Sequence, residues 1–567
     1  MLEKSNVPAD CLIAIEYILP NTAKRIDFIL CQNEKNDLLI IIIELKQWDS
    51  LELSDKQDIV KTFIGGAIRE VPHPSYQAWS YGQLLRDFSV PVNKMPILIY
   101  PIVYMHNLNN HEIIKNSIYL EILNEAPVFL RNEVDNLRNF VSTKIKKGGN
   151  KDIIKIIEKG EFKPSKKLAD CVSKMLAGDK EFFMIDEQKI VYETIKTIVL
   201  KNKEKKTVFI IKGGPGTGKS VVAINLLVDF INSNLNACYV SKNAAPRDVY
   251  KERLSKGNRK KRIDQLFKGS GCFTNLPENT YDVLLVDEAH RLNKKSGIFK
   301  NRGENQIKET IYSTVSCVFF LDEDQRITLD DIGTEQEIKY WANKYNAEII
   351  MLELSSQFRC NGSDGYLAWI DNTLQIRNTA NTTLEGIKYD FQIFDSAQSL
   401  HEAIENKNDK TCIARTVAGY CWKWISQNNT SLTDINIGAF NKKWNLKKGG
   451  NSWIIRTDSL NEIGCIHTCQ GLEMDYVGVI IGGDFTVRNG NVLTNVGERS
   501  SGDRTISGHK KLLLLNKKET ENRIDQIIKN TYKVFMTRGM KGCYLYCVDA
   551  ETNNYFKSRL KVQYETN

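Results

Sequence analysis

The run Gly213-Gly214-Pro215-Gly216-Thr217-Gly218-Lys219-Ser220 stands between the apolar stretch Val208 to Ile211 and the helix-like stretch Val221 to Phe230. It fits G-x-x-x-x-G-K-[ST] at every position, and its strand-loop-helix setting restricts this part of the chain to a layered α/β core that binds a nucleotide. Glycines such as Gly213, Gly216 and Gly218 let successive backbone N–H groups curl around phosphate oxygens, and Lys219 reaches the β and γ oxygens. Ser220 is the expected Mg²⁺ ligand.

The 567 residues suffice for three or four domains. A hydrophobic content of 42% and a charged content of 26% are those of a globular protein. The 78 Lys and Arg against 69 Asp and Glu leave a net charge of +9, which permits a polyanionic partner. The longest apolar run, Leu38 to Ile43, is far too short to cross a bilayer and ends at Glu44. Met1 to Asp10 resembles no secretory signal, so a cytoplasmic location without membrane contact is expected. Thirteen scattered cysteines read as reduced thiols, including the pairs Cys465 with Cys469 and Cys543 with Cys547.

Residues 1–145 mix short β-rich runs with amphipathic stretches, and residues 146–181 form a basic connector beginning Lys146-Lys147-Gly148-Gly149. Beyond it, apolar runs alternate with helical periods, the pattern of parallel α/β layers. Expected strands are Val208 to Ile211, Ala237 to Val240, Val283 to Val286, Val318 to Leu321 and Ile349 to Leu352. A second set, Thr411 to Ala414, Val477 to Ile481 and Cys543 to Val548, predicts another such layer. The boundaries drawn are 182–355 and 356–567. The polar, glycine-bearing stretch Thr486 to Lys511 reads as a mobile loop.

About seventy residues after the glycine loop, Leu284-Leu285-Val286 runs into Asp287-Glu288-Ala289-His290. A strand ending in two acids suits metal-assisted hydrolysis, with Asp287 orienting Mg²⁺ and Glu288 activating water. Gln188 stands upstream where an amide could read adenine. Gln325 ends another strand and could sense the γ-phosphate. Arg359 and Arg538 offer guanidinium groups to a transferring phosphoryl. Two basic segments, Arg259 to Arg262 and Lys442-Lys443-Trp444 through Lys448, are either solvated loops or strand-binding surfaces, and Trp444 could stack on a base.

These runs, in this order, resemble the superfamily 1 helicases, and among them bacterial proteins whose helicase domain is related to that of the Schlafen proteins. The matching segments include Asp186-Glu187-Gln188, Gly213 to Ser220, Ser241 to Arg247, Asp287 to His290, Asp324-Gln325-Arg326, Gln357 to Cys360, Ile466 to Glu473 and Thr537 to Gly542. The resemblance implies two RecA-like domains with ATP in the cleft between them, and Arg359 and Arg538 entering it from the second. It further implies Glu473 near the ribose, and Asn243 and Thr468 near the nucleic-acid strand.

Near the amino terminus, Arg25 to Leu30 and Leu38 to Lys46 read as strands joined by a polar turn. If Lys35-Asn36 is the tip of a tight hairpin, Asp27 lies opposite Glu44, and Lys46 shares a face with Glu44. Burying such charge is costly without a metal or ligand, so Asp27 and Glu44 are expected to hold Mg²⁺ or Mn²⁺ while Lys46 orients water. This resembles the PD-(D/E)-x-K nucleases. Glu16 is a candidate further acidic ligand. Gln77 and Tyr81, one helical turn apart, have the Q-x-x-x-Y spacing of the RecB-like branch and are read equally as packing residues or substrate contacts.

The fold class expected is therefore α/β, a nuclease-like domain followed by two RecA-like parallel-sheet domains. The layout resembles bacterial single-chain nuclease-helicase immunity proteins, which implies an ATP-driven motor on single-stranded or tailed duplex DNA, phage DNA included, with a metal-dependent nuclease. A remodeller with a non-cutting first domain, and an RNA-directed enzyme, remain open alternatives at this level.

Overall fold

A continuous apolar run suits a strand covered on both faces, and Leu38 to Ile43 lies at the centre of a sheet. The computed structural model describes residues 7–560 except 20–21, 23, 35–36, 89–91, 93–96, 149–182, 203, 256–264, 298–300, 357–363, 388, 410–411, 428, 430, 446–452, 455 and 470–473. The described residues fall into two compact units, residues 7–148 with 183–202, and residues 204–560.

The first unit contains β1 (Leu12–Ile18), β2 (Arg25–Glu34), β3 (Asp37–Lys46), β4 (Glu52–Leu53), β5 (Ile59–Ile64), β6 (Ala67–Pro72), β7 (Ile97–Met105) and β8 (Val128–Leu130). Its main sheet has the order β1-β2-β3-β7-β8, with antiparallel pairing at β1/β2/β3 and parallel pairing at β3/β7/β8. This is a mixed sheet. On one face Leu39, Ile41 and Ile43 pack with Leu137 and Val141 of the helix Val134–Lys144. On the other, the helix Pro74–Phe88 packs at Gly82, where an added Cβ would make ordinary contacts with Ile99 at 3.4 Å and Ile42 at 3.7 Å. Pro74 opens that helix, a position where a missing N–H costs nothing.

The helix Glu187–Lys201 belongs to this unit despite its distance along the chain. Lys189 Nζ is buried against Asp58 Oδ2 at 3.1 Å and Glu193 Oε1 at 2.9 Å. Tyr76 donates to the Met184 carbonyl at 2.9 Å, and Trp79 meets Phe183 edge to face.

In the second unit β9 (Thr207–Gly213), β10 (Ala237–Ser241), β11 (Phe267–Lys268), β12 (Tyr281–Asp287), β13 (Thr314–Leu321) and β14 (Glu348–Leu354) form a fully parallel sheet of order β11-β10-β12-β13-β9-β14. The five strands expected here are all present. Because they are parallel, Gly213, Ser241, Asp287 and Leu321 end on one edge, where open α/β sheets bind ligands.

A second parallel sheet, β15-β23-β20-β16, is made of β15 (Asp390–Ile393), β16 (Ala414–Ala418), β20 (Met474–Ile481) and β23 (Gly539–Cys547). The third-last expected strand is displaced, starting at Ala414 where pairing to Tyr476 begins. Between them in sequence lie β17 (Ile435–Ile437), β18 (Phe440–Trp444), β19 (Glu462–Ile463), and the hairpin β21 (Phe485–Arg488) with β22 (Asn491–Thr494). The helix Lys517–Met536 presents Ile524, Ile527, Ile528, Tyr532 and Phe535 to the core under β20. The expected connector lies almost wholly outside the described residues.

Thr486 to Lys511 is not the mobile loop expected. It holds the β21/β22 hairpin, and Arg499 is buried in an ionic network with Asp484 Oδ2 at 2.9 Å and Asp503 Oδ2 at 2.8 Å. The anchoring partner Asp484 precedes the stretch, so its composition alone conceals the order. Among the described residues no helix is long and apolar enough to cross a membrane. Cys465, Cys469, Cys543 and Cys547 are buried.

Candidate functional site

The edge of the first parallel sheet carries the glycine loop. Gly216 and Gly218 have φ of 82° and 84°, a region closed to most side chains, and the helix Lys219–Asn232 starts immediately after. Its first N–H groups and its positive end face the loop, the standard setting for a phosphate. Lys219 is buried and donates to the Gly213 and Gly214 carbonyls, each at 2.6 Å, so its ammonium lies inside the curl of the loop.

Ser220 Oγ donates to Asp287 Oδ2 at 2.6 Å, and Tyr239 donates to the same oxygen at 2.6 Å. Ser220, in the first turn of the helix Lys219–Asn232, and Asp287, at the end of β12, thus meet, as holding one hard cation requires. Burial and the neighbouring Glu288 push the Asp287 carboxyl up. Glu288 sits in left-handed backbone, φ 53°. Burial alone would raise its carboxyl, but His290, Lys219 and Arg538 outweigh it and hold Glu288 below the usual range, so it is ionised. His290 Nε2 is 3.0 Å from Glu288 Oε2, although the ring is not aimed along a hydrogen bond.

From Lys219 a polar chain runs to the second sheet. Lys219 Nζ is 3.9 Å from Asp322 Oδ2, which accepts from Gln325 Nε2 at 2.6 Å. Gln325 Oε1 in turn accepts from Arg538 Nη2 at 2.9 Å. Arg538 is fully buried.

The first unit holds a separate polar corner. The hairpin register runs Glu34 with Asp37 through Phe28 with Ile43, and its continuation by one position would oppose Asp27 to Glu44, the pairing expected. Asp27 Oδ2 accepts from the Leu45 N–H at 2.8 Å. Lys46 Nζ donates to Glu44 Oε1 at 2.6 Å, while Glu44 Oε2 is buried without a hydrogen-bond partner. Burial, opposed by Lys46 and aided by Asp27 and Asp186, pushes the Glu44 carboxyl up to about 7. Gln77 Nε2 donates to the Tyr81 hydroxyl at 2.8 Å.

Residues 206–549, well over half the chain, match the Schlafen group 3 DNA/RNA helicase domain. The chain belongs to the Schlafen group 3 helicase family. Membership in this helicase family implies ATP use, nucleic-acid binding and nucleic-acid helicase activity. An uncharacterized protein of Saccharomyces cerevisiae is 25% identical over 379 residues, 60% of this chain and 82% of its own. A DNA-bound ATP-dependent Type ISP restriction-modification enzyme aligns over 94% of this chain with 10% identity and a TM-score of 0.22. This chain spans 38% of that enzyme's length.

Within the Schlafen helicase domain the structure brings together Lys219, Ser220, Asp287, Glu288, Gln325 and Arg538. Arg359, Glu473, and the basic runs Arg259 to Arg262 and Lys447-Lys448 lie outside the described residues. Asn243 Oδ1 accepts from the Ala245 N–H at 3.3 Å, and Thr468 Oγ1 accepts from the Cys465 N–H at 3.0 Å, so both cap short local turns. Lys442 bonds Asn461 at 2.6 Å.

Trp444 does not serve as a stacking platform. It is completely buried, lies parallel to Tyr420 at 5.1 Å, and belongs to the core with Phe440 and Ile463. Alternation along β18 turns Phe440 and Trp444 to the same inner face. In the first unit, Gln188 is buried, with Oε1 3.4 Å from the Ile185 N–H. Glu16 is exposed and pairs with Arg25 at 3.2 Å. Its φ of 53° breaks the regular alternation of β1. Among the described residues no three His, Cys, Asp or Glu side chains converge to hold a metal.

Sequence reasoning missed Tyr239, Asp322 and Asp186. Tyr239 is the one hydroxyl in the buried strand β10 before Ser241, and its need for an internal acceptor was the available signal. Asp322 stands three residues before Gln325 and was passed over for it. Asp186 is taken up below.

Proposed function

We propose that this protein is an ATP-driven DNA helicase or translocase fused to a metal-dependent nuclease, and that it degrades phage DNA in bacterial defence. The two parallel sheets, within the expected bounds 182–355 and 356–567, are read as RecA-like motor domains, and residues 1–145 as a PD-(D/E)-x-K nuclease domain, to whose compact unit residues 183–202 also belong. The observation that carries the motor reading is the chain Lys219, Asp322, Gln325, Arg538, which links the glycine loop to an arginine of the second sheet.

Lys219 binds the β and γ phosphates, with Ser220 and Asp287 as ligands of a Mg²⁺ that would neutralise phosphate charge. Glu288, held ionised, takes the proton of the attacking water. Arg538 stabilises charge on the transferring group, and Gln325 reports its presence to the second sheet. Glu473 binds ribose, Arg359 joins Arg538 at the transferring phosphoryl group, and Asn243, Thr468, Lys442 and Lys443 face the strand. RNA is the alternative track.

For the nuclease, the orphaned Glu44 Oε2 supports a bound cation, since a buried carboxylate oxygen without a partner is costly. Two carboxylates, Asp27 and Glu44, with water and phosphate oxygens completing the shell, suit Mg²⁺ or Mn²⁺, which would supply Lewis-acid activation of the phosphodiester. Lys46 orients the attacking water. Glu16, turned toward Arg25, leaves the site one acid short, which favours a non-cutting, DNA-gripping domain as the second reading.

Cleavage of single-stranded and closed circular duplex DNA, with Mg²⁺ or Mn²⁺ and with or without ATP, tests the proposal beside Glu44→Ala. Metal-dependent cutting lost in the variant supports it. No cutting by the parent protein, alongside DNA-stimulated ATP turnover, selects the second reading.

A further inference from the structure

Tyr81 reaches 105 positions along the chain to a carboxylate that no nuclease motif contains. Its hydroxyl donates to Asp186 Oδ2 at 3.2 Å. Asp186 stands just before the helix Glu187–Lys201 with φ of 42° and ψ of −109°, a backbone conformation that favours glycine. Its side chain is 13% exposed, and Lys24 Nζ lies 3.0 Å away. Lys24 also holds Glu187 Oε1 at 3.1 Å.

A phenol has one proton. Tyr81, itself buried, gives that proton to Asp186 and uses a lone pair to accept from Gln77 Nε2 at 2.8 Å. The chain Gln77, Tyr81, Asp186 is therefore directional, and the acceptor-only carboxylate at its end sets the direction. With one amide N–H committed to Tyr81, the second N–H of Gln77 becomes a donor of fixed orientation, suited to a phosphodiester oxygen. Without Asp186 the phenol could turn its proton to Gln77 and reverse the amide. The same corner contains the unpartnered, buried Glu44 Oε2.

We infer that Asp186 is a positioning residue of the nuclease site, acting through Tyr81 to fix Gln77 against the DNA backbone; this rests on the nuclease reading of Asp27, Glu44 and Lys46. The segment after residue 182 thus completes a site otherwise built from residues 25–81. Asp186 is pinned by Lys24 and Tyr81 and is not assigned as a metal ligand.

The test is single-turnover and steady-state cleavage of a labelled single-stranded oligonucleotide by the full chain with Mn²⁺. It compares the parent with Glu44→Ala, Asp186→Ala, Asp186→Asn, Tyr81→Phe and the Asp186→Ala/Tyr81→Phe double variant. Misplaced positioning groups cost roughly 10- to 100-fold, so Asp186→Ala and Tyr81→Phe should each lose about that much in kcat. The Mn²⁺ concentration for half-maximal rate should stay unchanged. Asparagine keeps an acceptor and should restore most of the rate, and the double variant should be no slower than either single one. Parental rates in Asp186→Ala or Tyr81→Phe, or losses that multiply in the double variant, would overturn the inference. Tyr81→Phe removes one hydroxyl and decides the matter even if Asp186→Ala does not fold. A parent that cuts and a dead Glu44→Ala with unaffected Asp186→Ala sinks this inference alone. A parent that does not cut with any metal sinks the nuclease reading and this inference together.

Discussion

Arg538 Nη2 donates a 2.9 Å hydrogen bond to Gln325 Oε1, tying the residue just before the last strand of one parallel sheet to the loop that ends β13 in the other. Gln325 is joined to Asp322, and Asp322 approaches Lys219, so a change at the phosphates has a continuous polar route to the second sheet.

Arg538→Lys keeps the charge and gives up the planar fork. ATP turnover should fall by about 10³-fold or more, the usual worth of an arginine acting on a transferring phosphoryl. The KM for ATP should move far less. Steady-state hydrolysis with and without single-stranded DNA measures both, and turnover within about threefold of the parent would remove Arg538 from the site.

Lys442, Lys443 and Trp444 are neighbours in sequence, and their roles separate. Trp444→Ala should destabilise the protein by about 3–5 kcal/mol, as expected for emptying a buried aromatic site. Lys442→Ala with Lys443→Ala should leave the denaturation midpoint unchanged and lower the salt dependence of single-strand binding by about one to two ions. Equilibrium denaturation beside a salt titration of binding distinguishes them. A stable Trp444→Ala with weakened binding would reinstate it as a stacking platform.

Arg499 is 1% exposed at its side chain and holds Asp484 and Asp503. Replacing it by alanine strands two buried carboxylates, at a cost of about 3–5 kcal/mol. Denaturant titration should show the loss, and limited proteolysis should then cut within Thr486 to Lys511. Resistance equal to the parent would mean the hairpin orders the stretch without the arginine.

What was legible in the sequence is what local rules determine. The register whose continuation would oppose Asp27 to Glu44 follows from counting outward from a two-residue tip, and Gly213 to Ser220 announces itself through steric need and spacing. Glu16 carries no local sign that its backbone turns left-handed, a kink that breaks the alternation of β1 where its carboxylate pairs with Arg25. Trp444 carries charges beside it, but alternation on β18 sends the ring inward. Asp186 and Asp322 act through contacts made only once distant segments have packed, and no local pattern encodes those. Arg499 looks solvated until Asp484 is brought beneath it.

Glu44 predicts a pH dependence of stability. Burial moves its carboxyl from an ordinary 4.5 to about 7 in the folded chain, so between those values the folded state binds the proton and the unfolded state does not. The stabilisation from this group is full below pH 4.5 and is lost as pH rises through 7. Glu44→Gln keeps the shape without the charge, so its stability advantage over the parent should be near zero at pH 4 and grow to at most about 3 kcal/mol at pH 8. A divalent ion held by Asp27 and Glu44 would favour the ionised form. Added Mn²⁺ at pH 8 should therefore raise the parent's midpoint and leave Glu44→Gln unmoved. Denaturant midpoints at pH 4, 6 and 8, with chelator or Mn²⁺, measure both effects. A pH-independent difference between the two proteins would show that Glu44 is ionised throughout, paired by Lys46 alone.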